Sequence, residues 1–283
     1  MPVSLPPALE LCLDMLRCPT CRTGHLHPDR GALRCPVGHT FDIARHGYVS
    51  LLTGSRATSG DDTAMVQARD RFLSTGAYTP IRTAGARLAA DAIAERATVV
   101  DVGCGTGYYL AGVLDQVPGA RGLGLDTSVR ALRSAARAHE RAAAVAWDVF
   151  RPFPLADAMA DVVLDVFAPR NPAEFHRVLR PSGRLIVVRP TGRHLAELRG
   201  WLPEMVTIDP AKEERLSRAL DPFFEAADTE QVEYPATVTR LDALDLVAMT
   251  PSARHVSRAD LSDRGIPDQV TVSVLATAYR PRG

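Results

Sequence analysis

The chain has 283 residues, near the upper limit of what one hydrophobic core organises, so two domains or one domain with a substantial appendage is expected. Hydrophobic residues make up 46% and charged residues 23%, which excludes a disordered chain. Lys+Arg and Asp+Glu are both 33, so the total charge gives no sign of a nucleic-acid partner, although it says nothing about how charge is distributed. No apolar run approaches the ~18–20 residues that span a bilayer. The N-terminal stretch also lacks a basic start followed by an apolar core and a small-residue cleavage site, so no membrane association and a cytoplasmic location are expected.

Residues 1–55 are rich in Cys, His, Gly and Pro and poor in apolar runs, which predicts a small module stapled by metal. Cys18-Pro-Thr-Cys21 and Cys35-Pro-Val-Gly-His39 form two short ligand pairs on tight turns. Three thiolates and one imidazole at this spacing close a tetrahedral shell around one structural Zn2+. His25, His27 and His46 are competing candidates for the fourth ligand, and Cys12 reads as a buried small hydrophobe.

Residues 56–80 read as a linker: the polar run RATSGDD leads into a helix from Asp62 to Leu73, with Asp61 or Asp62 as its cap. From residue 81 to 283, strand-like and helical runs alternate. Strands are predicted at Thr98–Val102, Arg121–Asp126, Ala143–Trp147, Asp161–Val166, Arg184–Arg189 and Gln269–Tyr279. Helices are predicted at Tyr108–Val117, Val129–His139, Pro172–Leu179 and Leu241–Ala248. This alternation predicts βαβ units in an α/β, doubly wound, Rossmann-like sheet.

The first predicted strand runs into Gly103-Cys-Gly105-Thr-Gly107, where glycines allow positive φ and close backbone approach to a ligand. A dinucleotide fingerprint would place its third glycine at 108, where Tyr108 stands. The form Asp101-x-Gly-x-Gly-x-Gly instead resembles motif I of the class I S-adenosylmethionine (SAM) methyltransferases. On that resemblance Asp126, ending the second strand, bonds the ribose hydroxyls. Asp148, after the third strand, bonds the adenine amino group. Asp101 orients the loop or the cofactor's ammonium group.

A wider resemblance covers nearly the whole chain. CPTCRTG, CPVGHTFDIARHGYVSLL, DDTAMVQARDRFLSTGAYTPIR, VVDVGCGTGYY, FAPR and RPTGRHLAEL are similar to segments of the 23S rRNA (guanine-N1)-methyltransferases of the RlmA type, in the branch that includes macrolide (tylosin) resistance enzymes. The resemblance implies a class I SAM-dependent methyltransferase domain behind an N-terminal zinc ribbon that helps grip rRNA. It also implies a guanine in a hairpin loop of 23S rRNA domain II as target, and commonly a homodimer. It carries the zinc ligands onto Cys18, Cys21, Cys35 and His39, and places Tyr78, Tyr108 and His194 near SAM. The family often has a basic residue where Asp165 stands, so a catalytic role for Asp165 is not inherited. Its position near the end of the fourth strand makes it a candidate general base or, equally, a cap for the following turn. RNA contact would draw on two arginine-rich runs, Arg17–Arg56 and Arg170–Arg199, offset by an acidic run from Glu204 to Asp245. The competing readings are a small-molecule methyltransferase of a natural-product pathway with a purely structural ribbon, and a zinc-ribbon RNA-binding protein whose methyltransferase fold is degenerate. The intact acidic and glycine positions oppose the latter.

Overall fold

The computed structural model describes residues 5–22, 24–53, 60–93, 96–203, 205, 211–250 and 265–283. Most of the polar run RATSGDD, and part of the acidic run from Glu204, lie outside the described residues.

The N-terminal module opens with α1 (Pro7–Leu11) and a 3-10 turn (Leu13–Met15). A small antiparallel sheet follows, made of β1 (His27–Asp29), β2 (Ala32–Arg34) and β3 (Thr40–Asp42). β4 (Val49–Ser50) then leaves this sheet and pairs in parallel with β7 (Ala142–Ala146). The end of the ribbon segment thus becomes the edge strand of the main sheet.

Helix α2 (Thr63–Ser74) starts where Asp62 accepts the Met65 N–H at 2.9 Å, and it buries Met65, Val66, Ala68, Phe72 and Leu73. Helix α3 (Thr79–Ala90), absent from the elements predicted above, begins with Pro80 in its first turn. β5 (Thr98–Val102), α4 (Tyr108–Gln116), β6 (Arg121–Asp126), α5 (Val129–Ala135) and β7 follow as βαβ units. After them come β8 (Ala160–Val166), α6 (Pro172–Val178), β9 (Leu179–Pro190) and α7 (Ala196–Trp201). The chain ends with α8 (Ala211–Leu220), β10 (Phe224–Thr237), α9 (Arg240–Ala248) and β11 (Gln269–Pro281).

The main sheet has the order β10-β11-β9-β8-β5-β6-β7-β4. β5 to β9 are mutually parallel, and β11 and β10 are added antiparallel. Strands β5 (TVVDV) and β7 (AAAVA) are buried along their whole length, as expected where both faces are covered. Alternation along β5 divides the core: Val99 belongs to a cluster with Ile81, Leu110, Leu114 and Ile186, and Val100 to one with Leu123, Val145 and Phe175. The second cluster continues without a break into Leu9, Met15, Leu33 and Phe41 of the N-terminal module. A large apolar side chain fully buried in this way contributes ~1.5–3 kcal/mol, so the module and the sheet stabilise each other through one core.

Within the acidic run lies the long strand β10, also absent from the elements predicted above. It lies at the sheet edge with mostly exposed positions, and Glu225, Asp228, Glu230 and Glu233 fall within it. Charge on an edge strand blocks further pairing, and that masks the apolar alternation by which strands are recognised. Among the described residues no helix is long and apolar enough to cross a membrane.

Candidate active site and metal centre

The chain reverses direction about β5: β6 pairs on one side and β8 on the other, which opens a crevice at the carboxyl ends of these strands. The glycine loop leads from β5 into α4, with φ of 73° at Gly103, 53° at Gly105 and 82° at Gly107, which caps the helix. Two of these glycines are also fixed by space. A Cβ on Gly103 would stand 2.6 Å from the Ala168 Cβ, and one on Gly107 would stand 2.9 Å from that of Ala138. Cys104 packs against Gly124, and burial raises its thiol pKa, as expected of a packing residue.

Asp126 ties this loop to β6. One carboxylate oxygen accepts the Gly105 N–H at 2.8 Å and the other the Ser128 N–H at 2.7 Å. Burial nonetheless raises its pKa. Asp101 is buried beneath the loop, and its Oδ2 has no hydrogen-bond partner among the described residues. Burial first, and then the charge of Asp126, raises its pKa to about 7. A buried carboxylate oxygen without a partner fits a cationic group of a ligand. Asp148 follows β7, where Oδ1 accepts the Phe150 N–H at 3.0 Å. The Arg82 guanidinium lies 5.1 Å from the centre of the Tyr108 ring.

On the β8 side of the crevice, the Tyr78 hydroxyl is 3.1 Å from Nε2 of His194, and both side chains are buried. Phe167, directly after β8, stands between them and Tyr109: its ring centre is 5.9 Å from that of His194 and 6.3 Å from those of Tyr78 and Tyr109. The Asp165 side chain is wholly buried and faces Nε of Arg170 at 3.2 Å, across the turn that carries Phe167.

The sequence offers Asp61 only as a candidate cap of α2 and gives Arg69 no role beyond its place on that helix. They form an ion pair beside Gly105, and Arg69 also donates to the Met249 carbonyl at 2.9 Å. Ser128 holds the Asp61 carbonyl at 2.7 Å. No local signal marks this contact, because it depends on α2 folding across the loop. Phe167 was legible only as part of FAPR.

In the N-terminal module the ligand atoms of Cys18, Cys21, Cys35 and His39 all lie within 4.8 Å of one another. Nδ1 of His39 is 3.3 Å from the Cys35 sulfur and 3.6 Å from that of Cys18. A Cys3His donor set this compact fits one zinc ion with a closed shell.

Several arginines of the Arg170–Arg199 run are paired within the chain. Arg177 pairs with Glu174 and Asp157, and Arg180 with Asp161, at the amino end of the sheet, away from the crevice. Arg193 pairs with Glu233. Positive charge gathers instead where the ribbon turn at His46 meets α5. There, burial and then Arg133, Arg45 and Arg137 lower the His46 pKa.

Comparison with known proteins agrees with this architecture. Residues 16–56 match the model of the N-terminal zinc ribbon of RlmA, and residues 99–183 match a methyltransferase domain. The chain is 47% identical over 277 residues to the 23S rRNA (guanine(748)-N(1))-methyltransferase of Streptomyces fradiae, covering 94% of this chain and 96% of the relative. It is 46% identical over 291 residues to a Micromonospora griseorubida protein named as a 23S rRNA (guanine-N(1)-)-methyltransferase, covering 95% and 98%. A chain from the Haloferax volcanii complex of the Trm112 activator with a methyltransferase is 18% identical and shares the fold, with a TM-score of 0.50 over 80% of this chain and all of that one. With its SAM-dependent methyltransferase fold and its Cys3His zinc ribbon, the chain belongs to the 23S rRNA (guanine-N1)-methyltransferase family.

Proposed function

We propose that this protein methylates N1 of a guanine in a hairpin loop of 23S rRNA domain II and thereby confers macrolide resistance of the tylosin type. The observation that carries methylation of guanine N1 is the nearly full-length likeness to the Streptomyces fradiae enzyme, while the hairpin loop, domain II and resistance follow from the family resemblance. The family resemblance further suggests a homodimer as the acting form.

SAM, when bound, supplies a methyl group already activated by its sulfonium. The chain's own residues then serve mainly to bind, orient and exclude water. The loop at Gly103, Gly105 and Gly107 gives the backbone a close approach to the cofactor, and Asp101 offers its unpaired oxygen to the ammonium group. Asp126 keeps lone pairs for the ribose hydroxyls while its two backbone bonds hold it in place. On the family resemblance Asp148 would take the adenine amino group, and Tyr108, Tyr78 and His194 would flank the cofactor. N1 of neutral guanine carries a proton, so methylation there, which would exchange the donor's S–C bond for an N–C bond, must also release that proton to water. The burial of Asp165 and its pairing with Arg170 support a positioning role for it in the turn, in place of contact with the base.

The positive cluster of Arg45, Arg133 and Arg137 supports phosphate contact shared between ribbon and methyltransferase domain. Incubation with SAM and a 23S domain II transcript, followed by mass spectrometry and primer extension, tests the reading. N1-methylguanine in the hairpin loop is expected. Its absence, with transfer to a small molecule, overturns the proposal.

A further inference from the structure

The geometry points to Phe167 as the platform on which the target guanine stacks, an inference that rests on the RNA-methylating reading above. Phe167 adopts a φ of 56°. A bulky side chain in the left-handed region is an outlier, and such strain persists only where its surroundings over-determine it. Those surroundings are present. The Phe167 N–H donates to the Val188 carbonyl at 3.1 Å, and Asp165 faces Arg170 across the turn. Asn171 donates its side-chain amide to the Val149 carbonyl at 2.9 Å, and Ala168 is seated against Gly103.

This backbone conformation brings the ring to the mouth of the crevice instead of the core. Phe167 keeps 39% of its surface exposed, whereas its aromatic neighbours Tyr78 and His194 are buried. Its ring is nearly parallel to that of His194, with an interplanar angle of 26°. One side is therefore supported from within and the ring retains area for a planar ligand. Because Ala168 touches the glycine loop, that ligand would lie beside the cofactor's binding loop. An unstacked base from a single-stranded loop matches a supported, partly exposed aromatic ring, since loop bases are commonly held by stacking on aromatic side chains.

The test compares Phe167→Ala, Phe167→Leu, Phe167→Gly, Phe167→Tyr and Phe167→Trp with the wild type in steady-state methylation of the domain II hairpin transcript. SAM affinity is measured by calorimetry for each. The Ala, Leu and Gly variants are expected to raise KM for the transcript about tenfold or more, with SAM affinity within about threefold of wild type. Tyr and Trp should restore most of the activity. The Gly variant relieves the backbone strain, so its loss of RNA methylation with intact SAM binding cannot be ascribed to misfolding. A Leu variant as active as wild type, or variants that lose SAM affinity in proportion to activity, would overturn the stacking role. A wild-type protein that methylates no guanine in the transcript would instead overturn the function on which the inference rests.

Discussion

The Tyr78 hydroxyl meets Nε2 of His194 at 3.1 Å, while Nδ1 of the same ring lies 3.2 Å from the Ser273 N–H. A neutral imidazole that accepts at Nδ1 carries its proton on Nε2, so His194 donates to Tyr78 and leaves the tyrosine hydrogen able to donate into the crevice. Burial first, and then Arg199, lowers the His194 pKa from 6.5 to about 4. Folding thus disfavours protonation, and the unfolded chain binds more protons between these values. The contribution is complete above the unfolded pKa and is lost as pH falls through the folded one. The melting temperature should fall as pH drops across this window, and less steeply in His194→Asn. Thermal melts of both proteins at stepped pH check this; parallel profiles would refute it.

Asp101 has the opposite sign. Its pKa is raised from 3.8 to about 7, so the folded state holds the proton more tightly. Its contribution to stability is present below the unfolded value and lost as pH rises through the folded one. An ammonium group at its unpaired oxygen would favour the ionised form. SAM affinity is expected to strengthen by several-fold from about pH 6 to about pH 8, and Asp101→Asn should bind weakly with a flat profile. Calorimetric titration of both proteins across this range decides it.

Asp165→Ala should cost ~3–5 kcal/mol, because it leaves the largely buried Arg170 without its counter-charge. Chemical denaturation measures the loss. The milder Asp165→Asn should lower stability while leaving the shape of the pH–kcat profile unchanged. If instead the basic-to-acidic limb disappears in that variant, Asp165 is the general base.

Zinc removal should reach beyond the ribbon. The module shares a buried cluster with the main sheet and lends it β4, so metal loss exposes the edge of β7 as well. Cys35→Ser is expected to lose stoichiometric zinc and to melt about 10 °C or more lower, at ~2–4 °C per kcal/mol for chains of this order of size. A separate small ribbon transition, with the main one unmoved, would contradict the shared core.

RNA affinity should depend steeply on salt. Each arginine that neutralises a phosphate contributes roughly −0.9 to the slope of log K against log salt on a duplex and about −0.7 on a single strand. Charge removal at Arg45, Arg133 and Arg137 together should flatten that slope by about two units without changing SAM affinity. Filter binding at graded salt would reveal it, and an unchanged slope would rule out this surface.

The sequence alone determined the parts of the protein that are local. The glycine loop, the acidic strand ends and the zinc ligand pairs are legible because their chemistry depends on spacing within a turn or along one strand. The runs Thr98–Val102 and Arg121–Asp126 correspond residue for residue to β5 and β6. What the tertiary structure decided depends on partners far apart in the chain. Val49 finds Val145 and joins the ribbon to the main sheet. Arg69 reaches Met249 and folds α2 over the glycine loop. The charged β10 becomes a strand only because β11 supplies its hydrogen-bond partner. Phe167 takes up its strained φ because the Asp165–Arg170 pair, the Asn171 bond and the Ala168–Gly103 contact hold the turn on all sides. Backbone strain and long-range side-chain pairing leave little trace in local composition, since both result from the closure of contacts that only the folded chain brings together.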